Sequence, residues 1–266
     1  MHKFVVTHKP IEWNIPFEHQ LVTVNGYKKE GAIDASDFIG DLNLNRTFAI
    51  YGGIAAILEN IKDLPDDDHI VVYGYRAFLG KELHSNIEVA VPENVANVEN
   101  AEFKFRDLIT PDSLQETWKE KLLLEYPKEY ELIIARPLNL PVSLLEQYAR
   151  FHHFDDLLFG LAEAVRSGLI NPHLTANFLT KPIFLSQFAS KVSFLRDLYE
   201  RVWWIAKQLY AKHYVQRNGY QERSINFTIE RIISIYLMQK IYVEKVPTAC
   251  CELVHIDFNK VYKSGA

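Results

Sequence analysis

Residues 3–8 (KFVVTH), 20–24 (QLVTV) and 69–73 (HIVVY) are short runs rich in valine and isoleucine, and the first and third pass straight into polar residues. Continuous apolarity over four or five residues suits a strand buried on both faces, the pattern of a parallel sheet covered by helices. Between the second and third runs, residues 46–61 (RTFAIYGGIAAILENI) place Phe48, Ile54, Ile57, Leu58 and Ile61 at helical spacing. That spacing predicts a helix, and the paired Gly52 and Gly53 inside it leave room for close approach of a strand or a ligand. In such folds ligands are held by loops at the carboxyl ends of the strands, so residues around His8, the Gly- and Asp-rich loop at 31–43, and 74–78 (GYRAF) become the candidate edge.

The remainder alternates less regularly. Asp66 to Asp68 reads as a polar turn ahead of its strand, and an Asp-x-Asp in that position is read as solvated rather than metal-binding. A β-like segment is expected at 87–91, an amphipathic helix near 113–126 and a strand at 132–135 (LIIA). Residues 176–185 are mixed, with Pro182 arguing against a central strand. Residues 186–210 read as helix, 216–219 as a loop and 221–240 as another helix. The expectation is a single α/β domain over 1–266, with an α/β half at 1–140 and a helix-rich half at 141–266.

Composition narrows the function classes. A formal charge of -5 argues against sequence-independent nucleic-acid binding, which needs a basic excess. Two adjacent cysteines, Cys250 and Cys251, cannot build a zinc framework and read as buried thiols of a reducing compartment. The segment MHKFVVTHKP is too short in its apolar run for a secretory signal, and no stretch reaches the length of a membrane span, so a cytoplasmic protein is expected. Aromatic content of 13%, with Trp203 beside Trp204, suits an aromatic-rich core first and peripheral contact with a membrane or a sugar second.

Residues 141–168 (PVSLLEQYARFHHFDDLLFGLAEAVRSG) carry the densest chemistry. Ser143 followed by Glu146 is a capping box, and Gly168 supplies a stop, so one long helix is predicted. At about 100° per residue, Leu144, Tyr148, Phe151, His152, Asp155, Phe159 and Ala162 share one face. A carboxylate on an apolar face is costly unless it is paired or put to use. Either Asp155 and His152 are satisfied core groups, or they line a pocket.

Several of these pieces together resemble a bacterial glycosyltransferase-like family of capsular and cell-surface polysaccharide synthesis. The matching elements are Val6-Thr7-His8-Lys9 at the first strand end, a segment from Asn45 to Asn60, and Tyr75-Arg76 after a strand. Glu146-Gln147-Tyr148 with His152 and Asp156-Leu157 follows, then Arg223, Glu230-Arg231 and Ile235-Tyr236-Leu237. The family pattern has His-Tyr-Arg-Arg after the third strand. Gly74 and Ala77 stand at its first and last positions here, so no role is carried to either.

The resemblance implies a GT-A-like (Rossmann-like) sheet binding a nucleotide sugar, with the 1–140 half holding the nucleotide and the 141–266 half the acceptor. It also implies transfer of a sugar from a nucleoside diphosphate, UDP first, to a glycan or lipid-linked glycan acceptor of a capsule or O-antigen, at the inner face of the plasma membrane. Such transfer needs a platform for the base, neutralisation of the departing diphosphate and a base or nucleophile near the anomeric carbon. Thr7, His8 and Lys9 suit the platform, with Asn45, Tyr75 and Tyr148 as further binding residues. Arg76 and Arg223 suit the phosphates, or a divalent Mn or Mg held from elsewhere does. Glu230, seven residues after Arg223, is expected to pair with it. For the third role the face argument selects Asp155 and the family-like pattern selects Asp156, with His152 orienting. Two other classes remain open: a non-catalytic scaffold of a polysaccharide-assembly complex and another α/β nucleotide-binding enzyme.

Overall fold

The structure, a computed structural model, describes residues 1–40, 42, 46–87, 106–139, 142–179, 183–184 and 187–256. In chain order the strands are β1 (His2–Thr7), β2 (Gln20–Thr23), β3 (Ile33–Asp34), β4 (His69–Gly74), β5 (Ala77–Leu79) and β6 (Arg106–Ile109). They continue with β7 (Leu132–Ala135), β8 (Leu138–Asn139), β9 (Ile183–Phe184), β10 (Phe188–Lys191), β11 (Thr248–Cys251) and β12 (Leu253–Ile256). The helices are α1 (Ser36–Ile39), α2 (Ile54–Ile61), α3 (Pro111–Lys121), α4 (Leu144–Phe151), α5 (Phe154–Arg166), α6 (Pro172–Leu179), α7 (Val192–His213) and α8 (Ser224–Tyr242).

The main sheet has seven strands in the order β11-β7-β10-β4-β1-β2-β3. Every pairing in it is parallel except those of β10, which runs antiparallel between β4 and β7. Strands from both halves of the chain therefore share one sheet. From β1 the chain steps outward to β2 and β3, then returns to the other side of β1 as β4. The crevice between the carboxyl ends of β1 and β4 is consequently a topological switch point, where α/β sheets bind ligands. The fold is α/β, a mostly parallel sheet with a helix-rich second half.

Alternation along β1 divides the core. Phe4 and Val6 face the helical layer of α2, α5, α7 and α8, whereas Val5 faces the layer holding Phe17, Phe78 and the small sheet β5-β12-β6. Helix α8 is buried almost throughout from Ser224 to Gln239, packed on several sides by other elements. Close contacts hold two positions to glycine: a Cβ on Gly160 would lie 2.2 Å from Thr228 Cγ2, where α5 crosses α8, and one on Gly80 would lie 2.9 Å from the Glu252 carbonyl oxygen; Gly53 is tight, its Cβ 3.2 Å from Val22 Cγ1.

Several expectations need correction. The 141–168 segment is two helices, because His152 closes α4 in extended conformation (φ -138°, ψ 172°) and His153 opens α5. No glycine or proline causes this break. Gln221 Nε2 donates to the Phe151 carbonyl at 2.7 Å, and the His152 ring stacks on Phe227 at 4.1 Å, so residues distant in sequence satisfy and hold the end of α4. The shared-face reading fails with the helix: Asp155, Phe159 and Ala162 are exposed, and α5 turns Leu157, Gly160, Leu161 and Ala164 inward. The 46–61 segment is likewise divided, into a 3-10 stretch Arg46–Gly53 interrupted at Ala49 (φ 43°, ψ -123°), followed by α2. Strand β10 precedes α7 where continuous helix was expected from 186, and α3 starts at Pro111, capped by Thr110, and ends at Lys121 rather than near 126. Strands β11 and β12 had no signal of their own. In the 176–185 stretch Ile183–Phe184 forms β9, while Pro182 lies outside the described residues, as do 88–91.

Candidate active site

An open cleft of about 530 Å³ lies at the switch point. His8 follows β1, Gly74 ends β4 and Tyr75, Arg76 and Ala77 continue from it; Arg46, Ala49 and Ile50 come from the 3-10 stretch. Arg223, Asn226 and Glu230 project from the start of α8, and Leu253 and His255 from β12. Asn25, in left-handed conformation (φ 59°), and Gln187, just ahead of β10, complete the polar wall. The non-glycine positive φ of Ala49 puts backbone strain in this wall, a feature that concentrates at binding sites.

The cleft is cationic. Arg46, Arg76 and Arg223 face it, and Glu230 is the one carboxylate among the described lining residues. Burial, then the charges of Arg223, Lys9, Arg76 and Arg46, hold the His8 imidazole below its ordinary pKa, which shows that four cations converge on one ring. Tyr75 is the hub beneath them: its ring meets His8 at 5.7 Å edge-on, with Lys9 Nζ 5.7 Å and the Arg76 guanidinium 5.3 Å from its centroid. Glu230 accepts from Arg231 Nη1 at 3.0 Å and Asn226 Nδ2 at 3.2 Å, so its expected pairing with Arg223 is replaced by one with its neighbour. Burial nevertheless raises the Glu230 pKa against the opposing pull of Arg231, the Asn226 bond and Arg223. Its side chain retains 27% exposure, enough to meet a ligand.

Of the residues singled out in the sequence, His8, Tyr75, Arg76, Arg223 and Glu230 are brought together in this cleft. Thr7 is fully buried: its hydroxyl donates to the Lys9 carbonyl at 2.7 Å and accepts from the Lys9 amide at 3.3 Å, so it shapes the turn after β1. Lys9 is not in the lining but lies over Tyr75. Asn45 lies outside the described residues. Tyr148 is fully buried and shares a 2.9 Å hydrogen bond with the Thr228 hydroxyl; burial pushes its phenol up to about 12.

His152, Asp155 and Asp156 do not line the cleft. Asp155 is exposed in the first turn of α5, and Asp156 accepts both Nη groups of Arg217, from the loop before α8, with the two side chains 14% and 13% exposed. Desolvation, followed by the charge of Arg231, lowers the His152 pKa to about 4, so the ring is neutral. Arg46, Asn25, Asn226, Gln187 and His255 went unselected. Arg46 and Asn25 flank segments already singled out as edge loops, whereas Gln187 lies just ahead of β10 and His255 in β12, two strands without a sequence signal.

The donor set does not fit a divalent cation. Where a metal-binding Asp-x-Asp would follow β4, the chain has Gly74-Tyr75-Arg76. No group of three histidine, cysteine or carboxylate side chains suited to a metal occurs among the described residues. In the Asp66–Asp68 turn Asp66 pairs with Arg196 at 2.6 Å, Asp67 with Lys191 at 3.3 Å and Asp68 with His2 at 3.0 Å.

No protein-family model matches the sequence, and no curated protein does. Among solved structures the chain is similar to the apo structure of WbbM, a bifunctional glycosyltransferase, with a TM-score of 0.64 at 12% identity. The likeness covers 96% of this chain and 45% of that one, so this chain spans less than half the length of the protein it matches. At that identity it shows the fold: a glycosyltransferase-type α/β architecture.

Proposed function

We propose that the protein is a glycosyltransferase that takes a nucleoside-diphosphate sugar, UDP-linked, and transfers the sugar to a surface-glycan acceptor. The observation that carries this reading is the convergence of Arg46, Arg76, Arg223 and His8 on an open cleft at the switch point. Clustered guanidinium groups neutralise a departing diphosphate by charge-assisted hydrogen bonds, without a metal ligand set. The partly exposed His8 ring, held against the buried Tyr75, offers surface beside them for the base. Glu230, rather than Asp155 or Asp156, is the carboxylate positioned to accept the proton of an attacking acceptor hydroxyl, as the new glycosidic bond forms and the bond to the diphosphate breaks. Burial raises its pKa, which makes it a stronger base than an exposed carboxylate.

Calorimetry with UDP, GDP and dTDP, with and without sugars, tests the reading. UDP binding that weakens roughly 10-fold or more in Arg223→Ala, and UDP release that falls roughly 100-fold in Glu230→Gln with binding retained, is expected. Failure of all three nucleotides to bind would replace this reading with that of a non-catalytic scaffold.

A further inference from the structure

Helix α4 contributes no residue to the described lining of the cleft, yet its middle turn grips the helix that carries Glu230. Tyr148 shares its 2.9 Å hydrogen bond with Thr228 of α8, and the His152 ring lies on Phe227. Further along α8, Arg231 Nη2 donates to Gln147 Oε1 at 2.8 Å, while the guanidinium sits 5.7 Å from the Tyr148 ring centroid. Nη1 of the same guanidinium donates to Glu230 Oε2 at 3.0 Å. A path of hydrogen bonds therefore runs from α4 to the carboxylate of the cleft, through one side chain that is itself only 8% exposed.

An arginine beside a carboxylate frequently bonds it through two nitrogens, and such two-pronged pairs strongly favour the ionised carboxylate. Here the second nitrogen is occupied by Gln147. Glu230 Oε1 takes a neutral donor instead, Asn226 Nδ2 at 3.2 Å. Burial raises the Glu230 pKa, and the Arg231 charge is the largest influence against it. The balance thus depends on how much of the guanidinium reaches Glu230.

We propose that Gln147 is a positioning residue for the base: by holding Nη2 it limits Arg231 to one bond with Glu230, and so leaves the carboxylate able to take the proton of an acceptor hydroxyl. The inference rests on the glycosyltransferase reading, since it assigns the support of the base which that reading names. It also joins two sequence motifs that the cleft left apart, Glu146-Gln147-Tyr148 and Glu230-Arg231. The other groups around Glu230 are Arg223 ahead of α8, Tyr51 of the 3-10 stretch with Tyr199 of α7 beside it, and Arg46, Arg76, His8 and His255 across the cleft. Tyr148 and the neutral His152 lie near Arg231 on the α4 side, and Asp156 of α5 is held by Arg217. A substitution at Gln147 leaves all of them in place.

The experiment titrates Glu230 directly. In protein carrying carbon-13 at its glutamate carboxyls, the resonance lost in Glu230→Gln identifies Glu230, and its titration is followed by magnetic resonance in the native chain, Gln147→Leu and Gln147→Glu. Gln147→Leu releases Nη2 without adding a charge, so it is expected to move the midpoint about 0.5 pH or more lower. Gln147→Glu holds Nη2 more firmly and is expected to move it higher. Melting curves check that both variants fold. An unmoved midpoint in Gln147→Leu, or movement in the same direction in both variants, overturns the inference and spares the glycosyltransferase reading so long as the native chain binds UDP. Failure of the native chain to bind UDP, GDP and dTDP overturns both.

Discussion

The cleft between β1 and β4 and the junction between α4 and α5 are equally rich in ionisable side chains, yet they use them in opposite ways. At the junction the buried groups are compensated: Asp156 holds Arg217 through both oxygens in a largely buried pair, and His152 is neutral between aromatic rings. In the cleft, three arginines and His8 face one carboxylate that Arg231 already holds. An internally compensated cluster holds a fold in one arrangement; an excess of one sign around open space awaits a ligand of the other.

The largest effect should come at the structural end of this contrast. Replacing Gly160 by valine drives a side chain into Thr228 at the α5–α8 crossing, and overpacking there should cost about 3 kcal/mol in urea denaturation. An unchanged midpoint would mean that the two helices do not meet so closely.

Next in size is a paired comparison of arginines. Arg217→Ala leaves Asp156 buried without its partner and should destabilise by about 2–3 kcal/mol with UDP affinity unchanged. Arg223→Ala should alter stability by less than about 0.5 kcal/mol while weakening UDP. If the two variants exchange these phenotypes, the division between compensated junction and ligand-seeking cleft is wrong.

A smaller effect is expected from pH. The folded-state pKa of His152, about 4, lies below the ordinary 6.5, so the unfolded chain takes up the proton first as pH falls. The neutral ring's contribution is whole above about 6.5, declines as pH drops, and is exhausted near 4; solvent screening of this half-buried ring limits it to roughly 1–2 kcal/mol. Urea midpoints measured from pH 7 to 4 should fall less steeply for His152→Phe, which keeps the stack on Phe227 and cannot titrate. Parallel slopes would contradict the assignment.

The smallest effect is the most useful for the site. Asp155→Asn changes an exposed residue in the first turn of α5 and should shift stability by no more than about 0.5 kcal/mol. UDP release should stay at the native rate. A collapse in release would return the chemistry to α5 and remove Glu230 from the role of base.

The expectations from sequence divide along a physical line. The strand runs at 3–8, 20–24, 69–73 and 132–135, the Ser143 cap and the close approach at Gly53 were legible, because each is signalled by residues adjacent in the chain. The arginine and tyrosine after β4 were legible as edge residues for the same reason. The inward face assigned to Asp155 was not correct, because it assumed an unbroken helix. A Gln221 amide and a Phe227 ring about seventy positions away end that helix at His152.

By itself the sequence determined that 3–8, 20–24, 69–73 and 132–135 hold buried strands, and hence that a parallel α/β sheet would present Thr7-His8 and Tyr75-Arg76 at its carboxyl edge. Only the tertiary structure decided that β10 inserts antiparallel between β4 and β7, that Asp156 is consumed by Arg217, and that Glu230 comes to the cleft with Arg46 and Arg223. Periodicity records which way a side chain points from its own element. Which elements then meet is set by long-range packing that satisfies their ends and buried charges, and that leaves no local trace.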